Sequence, residues 1–408
     1  MRKEERKSAF LDEKKKLFSN IFLVANPLVW YYTVIIVLQE NLGMMSISAL
    51  TTFLIWCLHF SGLIVSALIG ASLTKNVKRE QLLKLWILSN VFSSLTLILI
   101  NTPSLLAISF LFILYGVSLG WAMPTCMGYY TECVPVENRG RTSGLAMLAT
   151  GIGIAIFSVI KISDVILLGI IFAAWRASSL FTFSFLKTTM IRQKTSASYK
   201  SIINQRAFIM YFIPWFMFSL VNYLSTPLES GLIGTAHQST EALPTFQAGI
   251  MGIAAVIGGF LVDSVGRKRV AIAGFVLIGL GTSVLGIYPE NMLSWYFSAI
   301  TDGAAFGFLL VIFVLTIWGD LSFDAPSDKV YALGVTPFFI SKFLELTIGE
   351  SIAAGIEPYA LFSFTAFFLF LAVLPLVYAP ETLPEKHIRE RELKSYLEKA
   401  MREREKYA

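Results

Sequence analysis

Three ionisable side chains lie deep inside apolar segments, where a charge is costly unless it has a function or a partner. Asp302 and Lys342 each lie about ten residues into such a segment, near the middle of a membrane at about 1.5 Å per residue. Glu345 follows one turn after Lys342 on the same helical face. We expect Asp302 to pair with Lys342, and substrate or a proton to break the pair; a permanent structural ion pair is the alternative.

Other reactive groups are scattered. Three cysteines (Cys57, Cys126 and Cys133) have no metal-ligand spacing, and the three histidines form no cluster. The sequence therefore predicts no metal site, no cofactor and no enzymatic nucleophile. His59 and Arg176 lie inside apolar segments; we expect a hydrogen-bonded packing role for His59, and either packing or substrate contact for Arg176.

The composition is that of a protein with many membrane spans. Apolar residues make up 55% of the 408 residues and charged residues only 15%, whereas soluble domains have about 25% charged residues. This excludes an ordinary cytosolic enzyme, a disordered chain and a disulfide-stapled secreted module. The net charge of +6 does not indicate nucleic-acid binding, because the basic residues lie between apolar segments.

Twelve apolar segments are long enough to cross a bilayer. They cover about 17–39, 46–72, 82–101, 104–127, 143–161, 165–186, 207–233, 244–262, 270–288, 292–319, 331–349 and 359–379. The predicted fold is an all-α integral membrane protein with twelve transmembrane helices in two pseudo-symmetric bundles of six. Its parts are a charged head (1–16), a first bundle (17–186), a central loop (187–206), a second bundle (207–379) and a charged tail (380–408), which we expect to be helical.

Almost all of the 33 Lys and Arg residues fall on one side of this twelve-helix arrangement. Loops rich in Lys and Arg stay in the cytoplasm. We therefore expect both termini to be cytoplasmic, in a multi-pass protein of the cell membrane.

The two halves repeat at an offset of about 188 residues. Gly70 and Gly258 end the second and eighth segments, and Glu132 and Asp320 follow the fourth and tenth, each pair 188 positions apart. Two parallel six-helix halves are typical of transporters.

The turn after the eighth segment reads GGFLVDSVGRKR (258–269). It resembles the signature loop of the major facilitator superfamily of secondary transporters. The matching positions are Gly258, Gly259, Leu261, Asp263, Gly266, Arg267 and Lys268. The glycines allow close helix packing, and Asp263 can hold the end of a neighbouring helix. We expect this turn to act as a clasp between the halves.

Further segments resemble the sugar and metabolite porters of this family. Glu132, Arg139 and Gly140 match the loop after the fourth helix, where Arg141 also contributes to the clasp, and Pro380-Glu381-Thr382 is similar to the ending of sugar porters. The first-half copy of the signature departs from the pattern, because Lys75 replaces the acid. A clasp in that half is therefore in doubt.

The resemblance implies a central cavity lined by the first and fourth helices of each half. Aromatic and polar residues share faces on these helices. Together with two charged residues they form the predicted substrate site, and Asp302, Lys342 and Glu345 form the predicted coupling site. The substrate set is Asn26, Trp30, Tyr115, Trp215, Asn222, Ser298, Asp302 and Lys342.

The sequence thus predicts a monomeric carrier of a small organic solute, such as a sugar or organic acid, working by alternating access, with or without proton coupling. Efflux of drugs or toxic metabolites is the alternative within the same family. A membrane receptor, which would move no solute, and a membrane enzyme, which would need a reactive cluster, are the alternatives from other classes.

Overall fold

The computed structural model describes residues 2–74, 77–102, 104–160, 164–185, 197–236, 242–322 and 325–383. Side chains are described from residue 13 onward, with gaps in the second half of the seventh helix and around residues 350–354. Lys75 and the part of the tail predicted to be helical, about 385–406, lie outside the described residues.

Twelve long helices follow one another along the chain. Eleven are long and apolar enough to cross a membrane over the described residues, and α7 contains a shorter apolar stretch, Arg206–Val221. Their bounds are α1 Arg2–Met44, α2 Ala49–Leu73, α3 Arg79–Asn101, α4 Leu105–Cys133, α5 Val136–Val159, α6 Val165–Ser184, α7 Arg206–Ala236, α8 Leu243–Ser264, α9 Arg267–Ile287, α10 Met292–Asp320, α11 Ser327–Gly349 and α12 Pro358–Tyr378.

Several helix boundaries differ from the sequence prediction, most of all that of the first helix. The first helix begins at Arg2 rather than near residue 17, because the Lys- and Glu-rich head contains good helix formers and no proline or glycine. The predicted central loop contains a short linker helix, Tyr199–Ile203, which begins at Ser198; the Ser198 side chain accepts a hydrogen bond from the Ser201 N–H.

The two halves pack by the same scheme. In the first half α2 packs on α4, α3 on α6 and α1 on α5; in the second half α8 packs on α10, α9 on α12 and α7 on α11. The halves meet along α5 with α8 and along α2 with α11. In the repeat, α5 corresponds to α11 and α2 corresponds to α8, so the two contacts between the halves are equivalent. The whole arrangement therefore has pseudo-twofold symmetry.

Several helices are locally irregular. Pro27 lies inside α1, and Pro214 and Pro227 lie inside α7. A π-helical turn runs from Glu345 to Gly349 in α11, directly after Lys342. Such turns widen a helix and are frequent at functional sites.

Candidate functional site

The turn between α8 and α9 fastens the second half to the start of α5. Asp263, fully buried at the end of α8, accepts hydrogen bonds from the backbone N–H groups of Gly140 (2.8 Å) and Arg141 (2.9 Å). A carboxylate at a helix N-terminus satisfies N–H groups that have no intrahelical partner and complements the helix dipole. The prediction that Asp263 holds a neighbouring helix end is confirmed. We call the side of the molecule that carries this turn the basic face.

Glycines allow the approach of these two helices. A Cβ atom at Gly259 would lie 2.5 Å from the carbonyl oxygen of Gly140, and one at Gly140 would lie 2.6 Å from that of Gly259. The backbones of α5 and α8 therefore touch where the halves meet. Gly258 faces Phe308 of α10 within the second half.

A second acid links the two halves beside Asp263. Asp320, at the end of α10, pairs with Arg139 of the first half and accepts a hydrogen bond from Arg267 Nε at 2.9 Å. Arg267 also donates to the carbonyl oxygen of Val136 at 2.6 Å. Because both arginines and the acid are buried, this network depends on the halves being in contact.

Glu381 anchors the end of α12 to the same turn. Its carboxylate accepts hydrogen bonds from the N–H groups of Arg267 (2.9 Å) and Lys268 (3.2 Å), which begin α9. Gly266 precedes them with φ of 112°, a left-handed conformation that glycine adopts without strain. Lys268 donates from Nζ to the Val377 carbonyl oxygen. The Pro-Glu-Thr segment is thus part of the basic face and carries no information on the solute.

The first half has a clasp of its own, with the acid moved to the other half. Asp328, fully buried at the start of α11, accepts hydrogen bonds from Thr74 Oγ1 (2.7 Å) and from Arg79 Nε (3.2 Å) and Nη2 (2.9 Å). Arg79 also forms an ion pair with Glu132 of its own half. The doubt raised by Lys75 is resolved, because the clasp is built from a different acid.

The repeat explains this exchange. Arg79 and Arg267 occupy equivalent positions 188 residues apart, and so do Glu132 and Asp320. Each arginine pairs with the acid of its own half. Asp328 stands 188 residues after Gly140. It therefore occupies, at the start of α11, the position that Gly140 has at the start of α5, where Asp263 binds. In one clasp the buried acid lies at the end of α8 and binds the helix start; in the other it lies on the helix start and binds the end of α2.

The linker is attached to both halves at the same face. Tyr199 donates from its hydroxyl to the carbonyl oxygen of Leu68 in α2, and Lys329 of α11 donates to the carbonyl oxygen of Ala197 at 2.9 Å. The Lys329 ammonium also lies 5.4 Å from the centre of the Tyr199 ring. The contacts between the halves on the basic face therefore include the linker as well as the two clasps.

Deeper between the halves, one ion pair lies on α11. Lys342 Nζ and Glu345 Oε1 are 2.7 Å apart, with side-chain exposures of 22% and 13%. Tyr32 of α1, which is 49% exposed, lies within electrostatic range of Glu345. Both halves thus contribute to a partly open polar site at the π-helical turn.

The predicted pairing of Asp302 with Lys342 is wrong. Asp302 accepts a hydrogen bond from Ser298 Oγ at 2.9 Å and faces α9, where a Cβ atom at Gly281 would come within 2.7 Å of Asp302 Oδ1. Its electrostatic neighbour is Glu229 of α7. The rotation of α10 about its axis, which depth along the sequence does not give, turns Asp302 into the second half and away from Lys342.

Comparisons with known proteins bear on the whole arrangement. A family model described as the Major Facilitator Superfamily matches residues 3–158. The crystal structure of the human organic anion transporter MFSD10 (TETRAN) superposes with a TM-score of 0.64, over 89% of this chain and 99% of that chain, at 13% sequence identity. The match over residues 3–158 and the shared fold together support membership of the major facilitator superfamily. No curated protein sequence matches it.

The two comparisons support a role in transmembrane transport. The solved relative has the same fold over nearly its whole length. At 13% identity the similarity shows a shared fold and does not identify the solute.

Three residues of the predicted substrate set lie inside the first half of the molecule. Asn26, Trp30 and Tyr115 are all fully buried. The Asn26 side chain pairs with Arg176, which lies over the rings of Trp30 and Trp86 at 5.7 and 4.7 Å from their centres. This network joins α1, α3 and α6, so Arg176 has a packing role here.

The remaining residues of the predicted substrate set belong to the second half. Trp215 is fully buried in the second half and stacks on Phe313 at 5.0 Å, and Ser298 is bonded to Asp302. The side chain of Asn222 lies outside the described residues. His59 is the expected packing residue, bonded to Tyr31 Oη (2.9 Å) and the Phe112 carbonyl oxygen (2.8 Å).

Sequence reasoning missed Arg79, Asp328 and Tyr32. The repeat could have revealed Arg79, since it aligns with Arg267 of the signature turn. Asp328 could not be found in this way, because the equivalent position in the first half is a glycine, Gly140. The sequence repeat does not indicate that the acid of this clasp lies on the opposite helix.

Proposed function

We propose that this chain is a secondary transporter that carries a small organic anion across the cell membrane by alternating access. The halves rock against each other about the site formed by Tyr32, Lys342 and Glu345. The basic face is cytoplasmic and is closed in this conformation. Both bundles, 17–186 and 207–379, move as units, and the linker connects them.

The observation that carries the proposal is the Lys342–Glu345 ion pair at the boundary between the halves. A partly exposed lysine at mid-membrane can bind a carboxylate, and the acid beside it keeps the lysine paired when the site is empty. Tyr32 of the other half adds a hydroxyl and a ring, which suits an organic rather than an inorganic anion. The solved relative is described as an organic anion transporter, which supports the same substrate class.

Proton coupling follows from the same pair. Protonation of Glu345 would release Lys342 to bind the substrate carboxylate, so one proton and one anion would enter the site together. Asp302, buried beside Glu229, is the second carboxyl group that we assign to coupling. A facilitator that simply equilibrates its solute would need neither acid to titrate.

A thermal-stability screen of the purified protein tests the substrate class. Small mono- and dicarboxylic acids should raise the melting temperature, and their neutral amides should not. Lys342→Gln should lose the response, while the exposed Lys84→Gln on the basic face should keep it. Equal stabilisation by acids and amides, or a full response in Lys342→Gln, would refute the anion assignment.

A further inference from the structure

An aromatic groove lies between the beginning of α1 and the end of α6. Its volume is about 230 Å³. Four phenylalanines and three hydroxyl residues line it: Phe18, Ser19, Phe22, Ser178, Phe181, Thr182 and Phe185. It belongs to the first half alone and lies apart from both clasps and from Lys342.

The rings around this groove are unusually open. Phe18 is 65% exposed, Phe181 73% and Phe185 42%. The groove occupies the first turns of α1 inside its apolar segment and the last turns of α6. Because these turns lie at the ends of their membrane spans, the groove lies near one boundary between bilayer and water.

Two of the three hydroxyl groups in the groove are already bonded to their own helix. Ser178 Oγ donates to the Trp175 carbonyl oxygen at 2.6 Å, and Thr182 Oγ1 donates to that of Ser179 at 2.7 Å. The groove thus offers an apolar surface, which fits a hydrocarbon chain better than a peptide or a polar solute.

Positive charge lies directly above the groove. Lys14, Lys15 and Lys16 are exposed one turn before Phe18, and residues four apart share a helical face. Lys15 Nζ lies 5.7 Å from the centre of the Phe185 ring. Lys15 therefore stands at the mouth of the groove, on the basic face, with Lys14 and Lys16 beside it in the chain.

We propose that this groove binds an anionic phospholipid of the leaflet next to the basic face. One acyl chain lies among the four phenylalanines, and the headgroup phosphate meets Lys14, Lys15 and Lys16. Apolar lining and positive charge at one membrane boundary match the two parts of such a lipid. Because the groove is formed by α1 and α6 together, the bound lipid stabilises the contact between these helices.

Lipid binding to the purified full-length protein tests this. Dioleoyl phosphatidylglycerol or phosphatidylcholine is added in detergent, and retention by native mass spectrometry and the melting temperature are measured. Phosphatidylglycerol should bind more tightly and raise the melting temperature more. In low salt, replacing all three lysines by glutamine should weaken this binding about a hundredfold, at about fivefold per lysine.

A matched variant separates this site from general surface charge. Lys78, Lys200 and Arg269 are exposed on the basic face away from the groove, and replacing all three by glutamine should leave the lipid preference intact. Phe18→Ala with Phe181→Ala should weaken the dioleoyl lipid but not its dihexanoyl analogue. Equal binding of the two headgroups by the wild type, equal losses in both triple variants, or wild-type dioleoyl binding by the phenylalanine variant would overturn the proposal.

Discussion

Replacing Asp328 by asparagine should open the basic face. The carboxylate is fully buried in the closed conformation and accepts three hydrogen bonds from the first half, one from Thr74 and two from Arg79. When the halves separate, both Asp328 and Arg79 become accessible to water. The substitution therefore destabilises the closed conformation and leaves the open one nearly unchanged.

The magnitude follows from these contacts. Removing one member of a buried ion pair costs about 3–5 kcal/mol. Asparagine keeps the shape and can still accept from Thr74, and Arg79 keeps its pair with Glu132. We therefore expect a loss of about 2 kcal/mol, which raises the ratio of open to closed molecules about thirtyfold.

Spin labels can measure this ratio. Lys78→Cys in the first half and Arg269→Cys in the second place labels on exposed positions of the basic face, in a background without the three native cysteines. Double electron–electron resonance should give one short distance for the parent protein and an added longer distance for Asp328→Asn. Transport should fall, because the return to the closed state becomes the slow step.

The control is an ion pair on α3, the helix that begins with Arg79, and it does not join the halves. Glu80 and Lys84 are 2.6 Å apart and about half exposed, and such pairs contribute about 0.5 kcal/mol. Glu80→Gln should leave the distance distribution unchanged. If Asp328→Asn also leaves it unchanged, the exchanged clasp does not hold the basic face closed.

Three further predictions follow from other parts of the molecule. Gly259→Ala should also favour the open basic face, because its Cβ atom would overlap the Gly140 carbonyl oxygen, whereas Gly249→Ala, with open space around it, should behave as the parent in the same distance measurement. Arg176→Gln should lower the melting temperature by about 5 °C, because it removes the cation from two tryptophan rings in the core of the first half; an unchanged melting temperature would argue against the packing role. Asp302→Asn should abolish accumulation driven by a proton gradient in liposomes while exchange without a gradient continues; undiminished accumulation would remove Asp302 from the coupling.

The helices of this fold can be predicted from the sequence, but the directions in which their side chains point cannot. Long apolar segments and the distribution of Lys and Arg predict the helices, because a membrane forces each segment to satisfy its own backbone. The signature turn predicts the role of Asp263, because its acid, glycines and arginine act locally.

Rotation about the helix axis is where the sequence prediction fails. In a helix that is apolar on all sides, the faces toward lipid, toward the core and toward the other half look alike. Trp30 and Asn26 were expected between the halves and lie in the first bundle, and Asp302 faces α9 instead of Lys342. Lys342 and Glu345 were correctly placed on one face, because their spacing within one helix decides it.

The most direct measurement for the proposed transport is counterflow in liposomes containing the purified protein. Liposomes are loaded with an unlabelled carboxylic acid that stabilises the protein, and entry of a trace of the labelled acid is followed. Alternating access predicts a transient accumulation that saturates with concentration, is absent from empty liposomes and is strongly reduced in Lys342→Gln. Entry that is equal with and without the protein, for every acid that stabilises it, would contradict carriage of an organic anion.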